Sequence, residues 1–396
     1  MMHLPFLCFF FALIPLCIRA ENILGFNSGA RLAETNLVKT EQDYLDEFEL
    51  APRLDGTNGI FNSVRLFTML REYDSPNPYG RIELNPAIKA AIDTNTTILL
   101  GIWCSGTANI QEQLNALKLA DEQFGSSLKD LVVGISVGNE DIMRYEERKK
   151  NPESDVGKPM EAIIKYVEDV RRTIKGTSLE SKPVGHAEPW KIFTEQRFKN
   201  LTQTIDFWGA NIYPFYQNDG NDANMAQKFG EAFFLLKATA NEYGKPVWIT
   251  ETGWPVAGSK SGNGPATAGI ENAARYWQEV GCQLFNGTFE DTNVWWYNLR
   301  DSNSGIKNRF AVAGDLQTPV FPLACDNAKS QDTLPSQSTL CGSPSVATSV
   351  AERDVASVTT TRPPSTTDEC PESATCTVTI TVPGTTVIHT QAVTKT

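Results

Sequence analysis

Short apolar, β-branched segments punctuate most of the chain, beginning at Ile23, Ser63, Thr97, Leu131, Pro183, Thr204, Pro246 and Asn293. Their apolar character is nearly continuous instead of alternating, which is the pattern of strands buried on both faces of a parallel sheet. Between several of them the spacing of apolar positions becomes helical. Ile163, Ile164, Val167, Val170 and Ile174 recur among charged residues before the fifth segment, and Ile270, Ala273, Ala274, Trp277 and Val280 follow the seventh. The interval between the fifth and sixth has room for a loop or one brief helix. Eight strands alternating with helices through right-handed crossovers predict an α/β fold, a TIM (β/α)8 barrel spanning residues 21–326.

The pattern fails at both ends. From Pro322 onward no aromatic residue occurs, and Ser, Thr and Pro dominate, as in TSVAERDVASVTTTRPPSTTDE. Residues 327–396 are therefore expected to be a disordered Ser/Thr-rich tail, O-glycosylated and unable to bury a sizeable core. At the other end, MMHLPFLCFFFALIPLCIRA (residues 1–20) joins an apolar core to Ala20 before a polar residue, which reads as a cleaved signal peptide. The expected localisation is secreted, extracellular or in a cell wall. No later stretch is apolar enough for a transmembrane segment, and no GPI signal is visible beyond Thr385.

Two of the predicted strands end in a glutamate. Glu140 closes LVVGISVGNE and Glu251 lies inside KPVWITETGWP. They are roughly 110 residues apart, and a barrel spread over roughly 300 residues uses about 37 for each βα unit, so they belong to strands three units apart. Both carboxylates are thereby delivered to the mouth of the barrel. Two facing carboxyls about 5 to 5.5 Å apart are the requirement for retaining glycoside hydrolysis through a covalent intermediate. The plain alternative for either is a solvated side chain or a helix cap. Asn139 supplies an amide suited to a sugar 2-hydroxyl, and Gly253, Trp254 and Pro255 make a stiff aromatic turn.

These residues resemble the fungal members of glycoside hydrolase family 17, the β-1,3-glucanases. The likeness is carried by ITETGWP around Glu251, VGNE at Glu140, GFNSGA (25–30), SVRLFTM (63–69) and NIYPF (211–215), in order over about residues 23–320. Val256 and Phe67 depart from the family pattern, which has a small polar residue and often a tyrosine there. The resemblance implies Glu140 as acid/base, Glu251 as nucleophile and β-1,3-glucan as substrate, without a cofactor. Tyr213, next in barrel order to Glu251, is placed to orient it through its phenol. Trp190, Trp254, Trp296 and Tyr216, at strand ends, are candidates for stacking on pyranose faces, with core packing as their other use. Trp208, Trp248 and Trp295 fall within strands and read as packing, and Arg65 is open between pairing with an active-site carboxylate and an internal salt bridge. The implied activity is a secreted endo-β-1,3-glucanase of cell-wall glucan. Glucanosyl transfer on the same intermediate and glucan binding without turnover are the alternatives.

Composition narrows the field further. A formal net charge of −12 disfavours nucleic acid and other polyanions as partners, while a neutral polysaccharide is indifferent to it. Of three histidines only His186 lies in the predicted fold, too few for a multi-histidine metal site, and it reads as a hydrogen-bonded structural residue. Cys104, Cys282, Cys325, Cys341, Cys370 and Cys376 remain after the signal, an even set suited to disulfides whose pairing the sequence leaves open. Sequons at Asn95, Asn200 and Asn286 fit N-glycosylation of surface loops. No partner protein is implied.

Overall fold

The computed structural model describes residues 22–74, 81–260, 264–286, 289, 292–305 and 307–325, and the backbone of 374–382 and 385–393. The signal-like residues 1–20, Cys341 and Cys370 lie outside the described residues. The chain divides into two units, residues 1–334 and 335–396.

In the first unit eight parallel strands close into one barrel in sequence order. They are β1 (Leu24–Asn27), β2 (Phe61–Arg65), β3 (Thr97–Ile102), β4 (Val132–Asn139), β5 (Val184–Pro189), β6 (Trp208–Asn211), β7 (Val247–Thr252) and β8 (Val294–Trp296). Closure is direct, since Leu24, Gly25 and Phe26 pair with Val294, Trp295 and Trp296. Ten α-helices are described between and after the strands: α1 (Glu41–Leu50), α2 (Pro86–Asp93), α3 (Gln111–Lys129), α4 (Asp141–Lys150), α5 (Met160–Ile174), α6 (Trp190–Thr194), α7 (Lys199–Thr204), α8 (Met225–Glu242), α9 (Ile270–Tyr276) and α10 (Cys282–Phe285). The predicted barrel is thus the observed one. The expected strand at Thr204 needs correction, because Thr204 ends α7 and β6 begins four residues later, and the interval after β5 holds two short helices. Ile192, Phe193, Phe198 and Leu201, all buried, give those helices their inner face.

Side chains divide between two apolar regions. Most of the core lies between the strands and the helices, while Leu99, Phe207, Trp248 and Trp295 form a separate cluster inside the ring, with Phe207 stacked on Trp248 at 3.8 Å between ring centroids. The three strand tryptophans are packing residues, as expected, with Trp208 flanked by Phe193 and Tyr243.

Alternation along β7 should place Val247, Ile249 and Glu251 on one side and Trp248, Thr250 and Thr252 on the other. Val247 and Ile249 join the helix-facing core and Trp248 the interior, but Thr252 bonds Tyr276 in the helix layer and Glu251 bonds Arg65. The ladder is irregular here against both β6 and β8. One irregular step therefore turns Glu251 from the helix side into the mouth, a use of bulges common beside active sites. On β4 the register also shifts between Ser136 and Asn139, at Gly138, whose φ is +78° and where a Cβ would stand 2.3 Å from Asp141 Oδ2. Only glycine meets both demands.

The glycine-rich segment 258–269 is anchored at its C-terminal side. Asp222 accepts the Thr267 amide at 2.8 Å and its hydroxyl, and Trp254 Nε1 donates to Thr267 O at 2.9 Å. In the second unit β9 (Ala374–Val382) and β10 (Thr385–Val393) pair antiparallel, from Thr385 with Val382 to Val393 with Ala374. This hairpin lies within the stretch expected to lack structure, where TVTITV alternates threonine with β-branched apolar residues. Among the described residues no helix is long and apolar enough to cross a membrane.

Cys282 and Cys325 form a disulfide across 43 residues, and Trp277 Nε1 donates to Leu323 O at 2.9 Å, so the end of the barrel unit is fastened beside α10. Cys104 is a buried free thiol. Closing a loop of that length removes about 4 kcal/mol of unfolded-chain entropy. The double substitution Cys282→Ser with Cys325→Ser should lower the midpoint of thermal unfolding by several degrees while leaving the far-ultraviolet circular dichroism of the native state unchanged; an unchanged midpoint would remove the disulfide from the account of stability.

Candidate active site

The strands end in polar side chains that meet at one mouth. Arg65, from the end of β2, is 1 % exposed and links most of them. Its Nη1 donates to Glu251 Oε1 at 2.7 Å and to Asn27 Oδ1 at 2.8 Å, and its Nη2 donates to Asn139 Oδ1 at 2.8 Å. The open question about Arg65 is settled in favour of the carboxylate. Phe67 lies 4.7 Å from the guanidinium carbon, so the phenylalanine that departs from the family pattern backs the arginine.

Glu251 receives a second bond, from Tyr213 Oη to Oε2 at 2.9 Å. Burial and the charge of Glu251 hold the Tyr213 phenol well above its ordinary range, so it stays a donor. Glu140 lies on the other side of the mouth, and Asn211 bridges to it. Asn211 Nδ2 donates to Glu140 Oε1 at 2.9 Å and to Asn139 Oδ1 at 3.1 Å, while Thr250 Oγ1 fixes its oxygen at 2.8 Å. Asn211 opens the NIYPF segment and was not singled out from sequence; its signal was a polar residue ending an apolar strand.

The two carboxyls have unlike surroundings. Glu251 is met by a cation and a phenol. Glu140 is half-buried, its side chain 21 % exposed, with Arg144 at 3.8 Å. Burial first, then the charge of Glu251, raise its pKa from 4.5 to about 7. One acid that keeps its proton near neutrality now faces one carboxylate held by a cation, which is the division of labour an acid/base and nucleophile pair needs.

The aromatic candidates separate into two groups. Tyr216 is 40 % exposed and packs edge-on to Tyr213, and Trp190 is half-buried beside Lys191. Trp254 and Trp296 are each 2 % exposed, the first against Phe215 and Tyr276, the second among Tyr276, Trp277 and Phe285. Their ring faces are taken by the core, so the expectation that these two stack on a sugar is corrected. Trp103, half-buried just past β3 with Arg144 above its ring, was missed although an aromatic directly after a strand is the same signal. His186 is fully buried and bonded at both nitrogens, the structural role expected of it. Asn95, Asn200 and Asn286 are exposed, Asn95 and Asn286 where a helix leads into the next strand and Asn200 within α7. Among the described residues no cluster of His, Cys, Asp and Glu has the makings of a metal site.

A closed parallel barrel with two glutamates at its mouth, each held by other polar side chains, defines the class of barrel glycoside hydrolases. The chain belongs to the BtgE/BtgC glycoside hydrolase family, whose domain matches residues 63–312. It is 39 % identical over 309 residues to a probable glucan endo-1,3-beta-glucosidase, eglC, of Aspergillus oryzae, covering 77 % of this chain and 63 % of that protein. The eglC of Emericella nidulans is 40 % identical over 307 residues, covering 76 % and 62 %. The chain thus spans a little under two thirds of the length of these curated relatives. Among solved structures it resembles a glycoside hydrolase family 17 beta-1,3-glucanosyltransferase from Rhizomucor miehei, with a TM-score of 0.55 and 20 % identity over 76 % of this chain and 98 % of that one, a likeness of fold. The resemblance read from the sequence motifs is borne out.

The raised pKa of Glu140 has a consequence for stability. The folded state holds its proton more tightly than the unfolded chain, so the contribution is complete below about pH 4.5 and is lost as pH rises through about 7. Glu140→Gln cannot titrate. Its stability relative to the parent should therefore grow across that window, by on the order of 2 kcal/mol, in urea unfolding at pH 4.5 and 8; a constant difference would mean that Glu140 is not held protonated.

Proposed function

We propose that this protein is a retaining endo-β-1,3-glucanase of cell-wall glucan. The observation that carries the reading is the network in which Arg65 and Tyr213 hold Glu251 while Asn211 holds Glu140, whose pKa is raised to about 7. In this mechanism Glu140 protonates the glycosidic oxygen and Glu251 attacks the anomeric carbon. Glu140 then takes a proton from the water that releases the glycosyl-enzyme. Asn139 has its oxygen occupied by Arg65 and Asn211, so its Nδ2 is the group free to bond the sugar 2-hydroxyl. Tyr216, Trp190 and Trp103 are rings with accessible surface for binding the chain. The substrate assignment is supported by the names of the Aspergillus and Emericella relatives. Export is supported by the signal-like start and by a disulfide that an oxidising compartment would sustain.

Glu251→Gln should reduce laminarin hydrolysis at least about 10³-fold while leaving glucan binding intact, because the nucleophile is lost and the cleft is not. A variant retaining most of its turnover would sink the assignment. Product sizing at high oligosaccharide concentration in the parent enzyme separates hydrolysis from glucanosyl transfer, which uses the same intermediate.

Stereochemistry gives an independent check. Two displacements at the anomeric carbon restore its configuration, so the first product from β-1,3-glucan should be the β-anomer, seen by proton NMR before mutarotation. Initial release of the α-anomer would require a single displacement by water and would overturn the role of Glu251. Activity should also fall as pH rises through about 7, where Glu140 loses its proton.

A further inference from the structure

Glu140 occupies the N-cap position of α4, with φ 55° and ψ 29°, yet its side chain makes no capping bond. A helix start leaves backbone N–H groups without intrahelical partners, and the N-cap side chain is what ordinarily satisfies one of them. Here the cap comes from another strand. Glu188, on β5 and fully buried, accepts the Ile142 amide on Oε1 at 2.7 Å and the Met143 amide on Oε2 at 3.3 Å. His186, two residues earlier and also buried, stands with Nε2 at 2.9 Å from Glu188 Oε1 and Nδ1 at 2.5 Å from Val137 O. Both ring nitrogens face acceptors, which suits the imidazolium, and a buried Glu188 is thereby charge-matched. On the near side of the turn Asp141 accepts the Asn139 amide at 2.8 Å and the Ser105 hydroxyl at 2.5 Å.

Resting on the glycosidase reading above, we infer that Glu188, held by His186, is a positioning residue for the acid/base: it caps α4 in place of Glu140 and so leaves the Glu140 carboxyl free to face the substrate in a left-handed backbone conformation. Such a conformation is costly for a residue other than glycine and persists only where surrounding bonds over-determine it. The Glu188 bonds to α4 and the Glu140 amide bond to Ala187 O at 2.9 Å, both from β5, supply that constraint. Without the cap, the helix start has one ready replacement, the side chain of Glu140 itself. Capping by Glu140 would withdraw the proton donor from the cleft without disturbing Glu251 or the substrate contacts.

The test exploits that difference. Gln at position 188 retains one acceptor but offers an N–H where a second amide or the imidazole needs one, so the cap is broken with little change in volume. Glu188→Gln should lower kcat on β-1,3-glucan by roughly 10- to 100-fold with KM changed less than about twofold, while the first turnover of an aryl β-laminaribioside with a nitrophenol leaving group, which departs without a proton, stays within about threefold of the parent. Hydrogen exchange at Ile142 and Met143 should quicken in the folded variant. Equal losses on both substrates, or no loss on glucan, would overturn the inference. If Glu188→Gln does not fold, His186→Gln, which leaves the cap but loosens it, is judged by the same split, with a smaller loss on glucan expected. Parent enzyme inactive on both substrates would instead count against the glycosidase reading, and the exchange rates at Ile142 and Met143 would still decide whether Glu188 caps the helix.

Discussion

A guanidinium sealed inside a protein must be neutralised, and the neutralisation of Arg65 fixes the geometry of the whole mouth. At 1 % exposure it has no access to water, so its cost is offset only by the groups that surround it: Glu251, Asn27, Asn139 and the carbonyl of Thr250. Removing one partner of a buried ion pair typically costs about 3 to 5 kcal/mol, because the remaining charge is stranded. The planar fork accepts those partners in only one arrangement. Arg65 therefore couples β1, β2, β4 and β7, and the acidic side chain it selects is aimed into the mouth. Asn27, which also donates to Thr250 O and Trp295 O, extends the coupling to β8 and the closing seam of the barrel.

Glu140 is governed by the opposite condition. Its nearest cation, Arg144, stands off at 3.8 Å, and its one hydrogen-bond partner at short range is the neutral amide of Asn211. A barrel mouth built by one logic throughout, with every acid paired to a base, would leave both carboxyls charged and neither able to donate a proton. The difference between the two glutamates arises because β2 carries an arginine and β6 an asparagine at equivalent strand ends. Chemistry is thus separated by residue choice on other strands of the barrel and not by any special property of the acids.

Much of this was legible in sequence for a definite reason. Strands buried on both faces leave continuous apolar runs, and a glutamate closing such a run is conspicuous, which made the barrel, Glu140 and Glu251 readable. What was not readable depends on which way a side chain turns. Trp254 and Trp296 sit at strand ends like Tyr216 and Trp190, but one-dimensional position does not say whether a ring enters the mouth or the helix layer. The same ambiguity hid Asn211 and the capping function of Glu188. Thr204 was misplaced as a strand start because TQTIDFW continues an apolar tendency across a helix end, and the tertiary contacts of Leu201 and Phe198 decide the boundary.

The irregular steps in β4 and β7 show why side-chain direction resists a period-two reading at the very positions that matter. Along a regular strand Glu251 would share the helix-facing side of Val247 and Ile249, where an unpaired carboxylate could not be tolerated in the apolar layer. The ladder yields instead, and the break falls between Thr250, whose hydroxyl holds Asn211, and Thr252, whose hydroxyl reaches Tyr276. On β4 the break falls at Gly138, the single residue in VGNE able to adopt the needed backbone beside Asp141. Both irregularities place consecutive residues on the same side, so that Thr250 and Glu251 act together at the mouth. A strict barrel strand offers one inward side chain every second residue. Breaking the pleat once in each of these two strands is how this fold concentrates enough polar groups at one point to hold two carboxyls in different surroundings.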